Sequence, residues 1–348
     1  MATLTNKYLS LADFARRLDP DGKPAVIAEL LSQENEILED AIWQEANGTT
    51  GHQSTIRTGL PALTWRLLNQ GVPPSKSTTA QVIDTFGSLT GYSVIDKKEA
   101  QLSGDVERFR LTEDVAFMEA MSQTIASTFF YGNTAVNQQQ FLGFSPRFST
   151  VSTANAQNAV NVLDAGGTAS VNTSLWLIGW GPRTVFGIFP KGSKAGLTHI
   201  DHGDTRSWVD SNGNPYETYQ SYFEWDAGLV VKDWRYVVRI ANIDTTLLAG
   251  GSAANLISLL NKAVYRPPTM PKGVAAVQKT DAPEEEIPPV RWAFYGNRTI
   301  RQYLDLQAQN KTNLLLRLSE WDGKVITDYR GIPIRTCDGL VNNETRVV

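Results

Sequence analysis

Apolar positions recur at three- and four-residue spacing over residues 24–46, PAVIAELLSQENEILEDAIWQEA. Val26, Ile27, Leu30, Leu31, Ile37, Leu38, Ala41 and Ile42 form a stripe that predicts an amphipathic helix, with Pro24 at its start and Asn47-Gly48 at its stop. A second helix is predicted over residues 112–131, TEDVAFMEAMSQTIASTFFY. Thr112 would be its cap, Gly132-Asn133 its end, and Val115, Met118, Met121, Ile125 and Phe129 its buried stripe. At about 1.5 Å per residue it would span about 30 Å.

Between these helices the pattern changes to short β-prone runs broken by glycine and proline. Residues 64–68 and 81–86 read as two arms of a long hairpin with its tip at residues 70–75, QGVPPS. Such a hairpin carries too little apolar surface to stand alone, so it must lie on other protein. Farther along, residues 174–180 and 184–188 read as strands, Asn212-Gly213-Asn214 as a hairpin turn, and residues 216–243 as long strands. Residues 256–265 and 298–309 read as helices, and residues 324–326 and 331–335 as strands. The proline-rich, acidic segment 267–289 reads as an exposed loop. No internal repeat is present.

Composition narrows the function classes. The 348 residues, 41% hydrophobic, fit a folded chain of one large domain or two ordinary ones. Lys plus Arg number 32 against 36 Asp plus Glu, a balance that argues against gripping nucleic acid over the whole surface. A single cysteine, Cys337, excludes a disulfide scaffold and a multi-cysteine metal site. Charged residues within the first 17 positions (Lys7, Asp13, Arg16, Arg17) interrupt any export signal, so a cytosolic origin is expected. Between Ala120 and Pro182 only Arg147 and Asp164 are charged in 63 residues. Neutral polar surface on this scale suggests a chain that lies against other protein.

Catalytic and metal patterns fall short. His199, Asp201, His202 and Asp204 are dense enough to hold zinc or iron, but the run reads as a polar turn without a third ligand on a regular element. Asp210 opens a calcium-like loop that fails at Pro215, and residues 187–194 lack the ending of a phosphate loop. No nucleophile elbow occurs, and Cys337 has no nearby histidine in sequence. No catalytic residue, metal or cofactor is therefore expected. Trp176, Trp180, Trp208, Trp225 and Trp234 fall in the strand-rich part, where core or interface packing outweighs a glycan-stacking role.

The order of pieces resembles the major capsid proteins of tailed bacteriophages, especially short-tailed ones. Residues 51–96, GHQSTIRTGLPALTWRLLNQGVPPSKSTTAQVIDTFGSLTGYSVID, look like that family's extended loop, and TEDVAFMEAMSQTIASTFFYGN like its spine helix. FLGFSPRF, FGIFPKGSKAGL, FEWDAGLVVKDWRYVVRIANI and YRGIPIRTCDGL are similar to later family segments. The resemblance implies an α+β, Hong Kong 97-type fold. Its parts would be an N-terminal arm and amphipathic helix (1–46), an extended loop (47–110), a peripheral domain with the spine helix (111–245) and an axial domain (246–348). The long strand precedes the helix at Leu256, an order that implies a permuted connection of that architecture. The implied function is a non-enzymatic shell subunit, assembled in the host cytoplasm into hexamers and pentamers of an icosahedral head. Its implied partners are other copies, scaffold, portal and cement proteins, and double-stranded DNA held without sequence specificity, with no membrane. The loop would reach the adjacent subunit, making Arg57, Trp65, Arg66 and Lys76 the inter-subunit contact candidates. An encapsulin-like nanocompartment shell is the alternative of the same fold; a metal-binding β-rich protein and a glycan-binding module are alternatives of other classes.

Overall fold

The computed structural model describes residues 32–168, 170–203, 206–209, 212–249, 255–269, 290–309, 316–321 and 324–348. In chain order the strands are β1 (Trp43–Glu45), β2 (Gly51–Gly59), β3 (Thr78–Asp96), β4 (Val162–Asp164), β5 (Asn172–Trp180), β6 (Val185–Phe189) and β7 (Thr198–Asp201). They continue as β8 (Arg206–Val209), β9 (Pro215–Val231), β10 (Val237–Asp244), β11 (Arg291–Gly296), β12 (Leu316–Trp321), β13 (Lys324–Tyr329) and β14 (Ile332–Thr336). One long helix, Val106–Tyr131, precedes most of them, and shorter helices Leu256–Val264 and Arg298–Gln309 follow β10 and β11. The chain divides into two compact units, one of residues 1–33, 88–125 and 196–226, the other of residues 34–87, 126–195 and 227–348.

The larger unit is built around β5, all nine residues of which are buried. It pairs antiparallel with β10 (Arg239 opposite Trp176) and with β11 (Phe294 opposite Leu177). β11 continues in parallel to β14, which pairs antiparallel with β13, and β13 with β12. Side chains alternate across β5. Leu175 and Leu177 join Val238, Ile240, Leu260, Phe294 and Ile300 in one core. Trp176 and Trp180 join Phe129, Phe130, Phe144 and Phe148 on the other face, with ring centroids 5.7–6.4 Å apart. Burial on both faces explains why this strand reads as a continuous apolar run.

One buried and one partly buried ionic knot close this unit. Arg239 Nη2 donates to Glu344 Oε2 at 2.9 Å, while the same carboxylate accepts from Tyr131 and Ser174 hydroxyls at 2.5 Å each. The guanidinium also lies 5.1 Å from the Trp176 ring centroid. Burial, then the Glu344 charge, pushes the Tyr131 phenol far above its ordinary range. In the second knot Arg335 meets Glu36 and Asp40 at 3.1 Å each, and the Tyr295 hydroxyl bridges Asp40 (2.9 Å) and Trp180 Nε1 (2.8 Å).

The smaller unit pairs β7 and β8 in line along one edge of β9, while β9 has β3 as its other neighbour. The long helix packs through Phe117, stacked on Phe223 at 5.7 Å. Arg110 pairs with Asp201, the Ser221 hydroxyl donates to Asp114 at 3.1 Å, and Ile95, Ala100 and Phe109 form a small core.

Several expectations change. The described part of the first predicted helix is a four-residue turn, Ile37–Asp40, followed by β1; residues 24–31 lie outside the described residues. Trp43–Glu45 pairs in parallel with Gly187–Phe189, and the absent Cβ of Gly187 leaves room for the Trp43 ring, so strand pairing overrides helical periodicity. The long helix starts six residues before Thr112. Asp105 accepts the Arg108 N–H at 3.1 Å at its start, and the Thr112 hydroxyl instead donates to the Arg108 carbonyl. Val115 is exposed and Phe117 takes its place on the packed face; Met121, Ile125 and Phe129 are buried as the stripe predicts. The hairpin arms are β2 and the first part of β3, so residues 64–68 belong to the tip. The proline-rich segment lies outside the described residues from residue 270 to 289. The neutral stretch is internal only in part: β5 and the aromatic cluster within it are buried, while most of residues 133–140 and 149–160 are partly or fully exposed. Its two charges are taken up inside the chain, Arg147 by Asp84 and Asp164 by Asn242.

Candidate assembly interface

The hairpin of β2 and β3 is anchored before it projects. Gly51 sits opposite Thr85, and a Cβ there would lie 2.5 Å from the Asp84 carbonyl, so only glycine permits this approach. Arg147 Nη2 donates to Asp84 Oδ1 at 2.7 Å and to the carbonyls of Leu142 and Leu229. His52, opposite Asp84, sets its ring edge-on to Phe186 at 5.3 Å. Burial lowers its pKa, the Lys232 charge adds to that effect, and Asp84 opposes it.

Outward, the arms run for about 30 Å at about 3.3 Å per residue. A register shift falls between Arg57 and Gly59, and the Thr58 and Thr78 hydroxyls meet at 3.1 Å where the arms end. The tip, residues 60–77, is pinched by the Ser75 hydroxyl donating to the Ala62 carbonyl at 2.6 Å. The Gln70 N–H bonds the Leu67 carbonyl at 3.2 Å, with Asn69 left-handed at φ 65°.

All four contact candidates lie on this projection and all are exposed. Arg57 is on β2 opposite Thr79, Trp65 and Arg66 are in the tip, and Lys76 is on the return. Among the described residues none of these four side chains makes a hydrogen bond or ion pair. Trp65 is 102% exposed, and Leu63 and Leu68 are 91% and 90%. Each such side chain forgoes about 1.5–3 kcal/mol of burial. Leu60, Leu63, Leu67 and Leu68 are exposed on the same tip and were not among the sequence candidates. Their signal was a leucine-rich run inside a segment bounded by glycine and proline. From Ala46 to Ile83 there is no acidic residue, while Arg57, Arg66 and Lys76 are basic. The tip therefore presents an apolar, positively charged surface on an anchored root.

The histidine cluster is placed differently from the expected turn. His199 and Asp201 lie on strand β7 because Thr198–Asp201 pairs with β9, and Asp204 lies outside the described residues. His199 stacks on Phe223 at 4.7 Å, with Nε2 3.7 Å from Asp114. Burial raises Asp201, but hydrogen bonds from Arg110 and the Gly203 N–H outweigh this and hold its carboxyl below the ordinary value. These contacts tie the strand to the long helix. Among the described residues no three His, Cys, Asp or Glu side chains group for a metal ion, and no helix is long and apolar enough to cross a membrane.

The profile of the family described as major capsid protein GP7 matches residues 19–348. The chain belongs to that family. A chain of the bacteriophage Epsilon15 structure is 32% identical, with 100% of this chain and 99% of that one covered, at a TM-score of 0.77. The element order of this capsid protein is therefore shared with that chain over its whole length. The capsid of the native GTA particle is 11% identical over 68% of this chain and 99% of that chain, with a TM-score of 0.41. The SrpI encapsulin of Synechococcus elongatus is 10% identical over 68% of this chain and 97% of that one, with a TM-score of 0.39. Among curated proteins none matches the chain in sequence. The Hong Kong 97-type fold and the identity of a short-tailed-phage major capsid protein follow, and the nanocompartment alternative gives way to the family match.

Proposed function

We propose that this capsid protein acts without catalysis, assembling into hexamers and pentamers of an icosahedral head around double-stranded DNA. Each extended loop would cross onto the neighbouring copy. The observation that carries this reading is the tip, with a fully exposed Trp65 amid exposed leucines. Side chains of this kind, on an arm braced by Arg147 and Asp84, supply the aromatic anchor of a protein–protein contact. Heterologous contacts that close into rings then build a shell. In this reading Arg57, Arg66 and Lys76 are inter-subunit charges, and the division at residues 46, 110 and 245 separates arm, loop, peripheral and axial domains. The near-neutral net charge of -4 supports a shell that encloses its genome without sequence-specific grip. Scaffold, portal and cement proteins complete the proposed partners, and assembly takes place in the host cytoplasm.

Expression of the full chain, alone and with the scaffold of the same phage, followed by sedimentation and negative-stain microscopy, tests this. Closed particles are expected. A monomer that persists beside its scaffold overturns the reading.

A further inference from the structure

Residues 341–348 lie across the larger unit as a strap without helix or strand, and of them only Glu344 and Val347 are buried. The groove beneath is built by earlier residues. Arg239 is held by the Phe148 carbonyl at 2.8 Å and by Ser174 Oγ at 3.1 Å, and it presents Nη2 to Glu344 at 2.9 Å. The Glu344 N–H donates to the Asn172 carbonyl at 2.9 Å. Three residues on, Asn242 reads a peptide group rather than a side chain. It is buried and left-handed at φ 58°, at the register shift between Ile240 and Ile243 of β10. Its Nδ2 donates to the Val347 carbonyl at 2.9 Å, and its Oδ1 accepts the Val347 N–H at 2.8 Å. Asp164 Oδ1 accepts from the same Nδ2 at 2.9 Å, and because a carboxylate only accepts, it fixes which end of the amide donates.

We propose that this groove is a peptide-binding site for a glutamate followed three residues later by a valine, and that it takes such a segment from outside the chain as well as from its own end. Main-chain bonds at Glu344 and Val347 set direction and register. One buried cation selects the carboxylate, while Thr345 and Arg346 between the anchors stay exposed and unread. Main-chain bonds for affinity and spaced pockets for selectivity are the means by which extended peptides are recognised in trans. The polar anchors, Tyr131, Ser174, Arg239 and Asn242, all precede the strap by about a hundred residues or more. Covalent connection therefore adds local concentration, not contacts. The same segment of a second copy of the chain meets every one of these requirements.

Rescue of the unassembled full-length subunit by free peptide tests this. Glu344→Ala weakens the chain's own strap and leaves the groove intact. A synthetic peptide of residues 340–348 should raise the melting temperature of this variant saturably toward that of the wild type. The same peptide carrying Glu344→Gln should need about tenfold more or higher concentration, since it loses the charge-assisted bond to Arg239. Adding Asn242→Ala to the variant should abolish the response. No shift at about 1 mM peptide, or an equal shift from a scrambled peptide, overturns the proposal. Where neither Glu344→Ala nor Glu344→Gln yields folded chain, refolding of the wild type in labelled peptide decides: label should co-elute with the monomer, and its absence there overturns the proposal.

Discussion

Arg147 and Asp84 form a closed clip at the root of the extended loop, with a 2.7 Å hydrogen bond between side chains that are 14% and 5% exposed. Arg147 is one of only two charges in a 63-residue stretch, and it spends that charge inside its own chain. Arg147→Met would leave the Asp84 carboxylate buried and uncompensated, at a cost of about 3–5 kcal/mol. The double variant Arg147→Met, Asp84→Leu should lose less than Arg147→Met alone. Urea denaturation of the unassembled subunit measures both, and equal losses would remove the clip from the argument.

Glu344, near the end of the chain, closes the buried knot around Arg239. Glu344→Ala would strip the Arg239 guanidinium of its counter-charge and the Tyr131 and Ser174 hydroxyls of their acceptor. A loss of about 3–5 kcal/mol is expected, with early proteolysis of the C-terminal residues as the second readout. An unchanged midpoint would mean that the C-terminal segment is not held by this knot.

His52 gives the root of the loop a pH dependence of defined sign. Burial places its folded-state pKa below the ordinary 6.5, so the unfolded chain takes up the proton first. Stability is full above pH 6.5 and falls as pH drops through 6.5 toward the folded value. His52→Gln should flatten this limb in a series of thermal melts across pH 6.5. A limb that persists in the variant assigns the effect to other groups.

Trp65→Ala removes a side chain that touches solvent on all sides, so the melting temperature of the subunit should stay unchanged. Particle yield should fall sharply, because truncating an anchor residue at an interface costs about 2 kcal/mol or more at every copy. A parallel loss of folding and assembly would place Trp65 in the core instead.

The outline of the fold was legible wherever local pattern and tertiary role agreed. Residues 174–180 read as a strand because apolar and β-prone residues fill a site buried on both faces, and the observed strand runs from Asn172 to Trp180. Residues 256–265 read as a helix because the buried stripe of the observed Leu256–Val264 matches its period. Legibility failed where a distant partner decided. Trp43–Glu45 continues a helical stripe in sequence, yet it becomes a strand because β6 offers an edge and Gly187 a space for the tryptophan ring. Residues 64–68 look like a strand, yet the ladder stops at Gly59 opposite Thr78.

The sequence by itself determined the family, the long helix, the extended loop and the four exposed contact candidates, because these depend on composition, period and turn residues carried locally. Only the tertiary structure decided how the charges are paired and which aromatic rings gather on one face. Arg147 and Arg239 look like any surface bases until Asp84 and Glu344, 63 and 105 residues away, are brought beside them. Tyr92, Trp208 and Tyr222 lie on three separate strands, and only strand register places their rings on one face. Burial and register are relations between distant positions, and no window of sequence contains them.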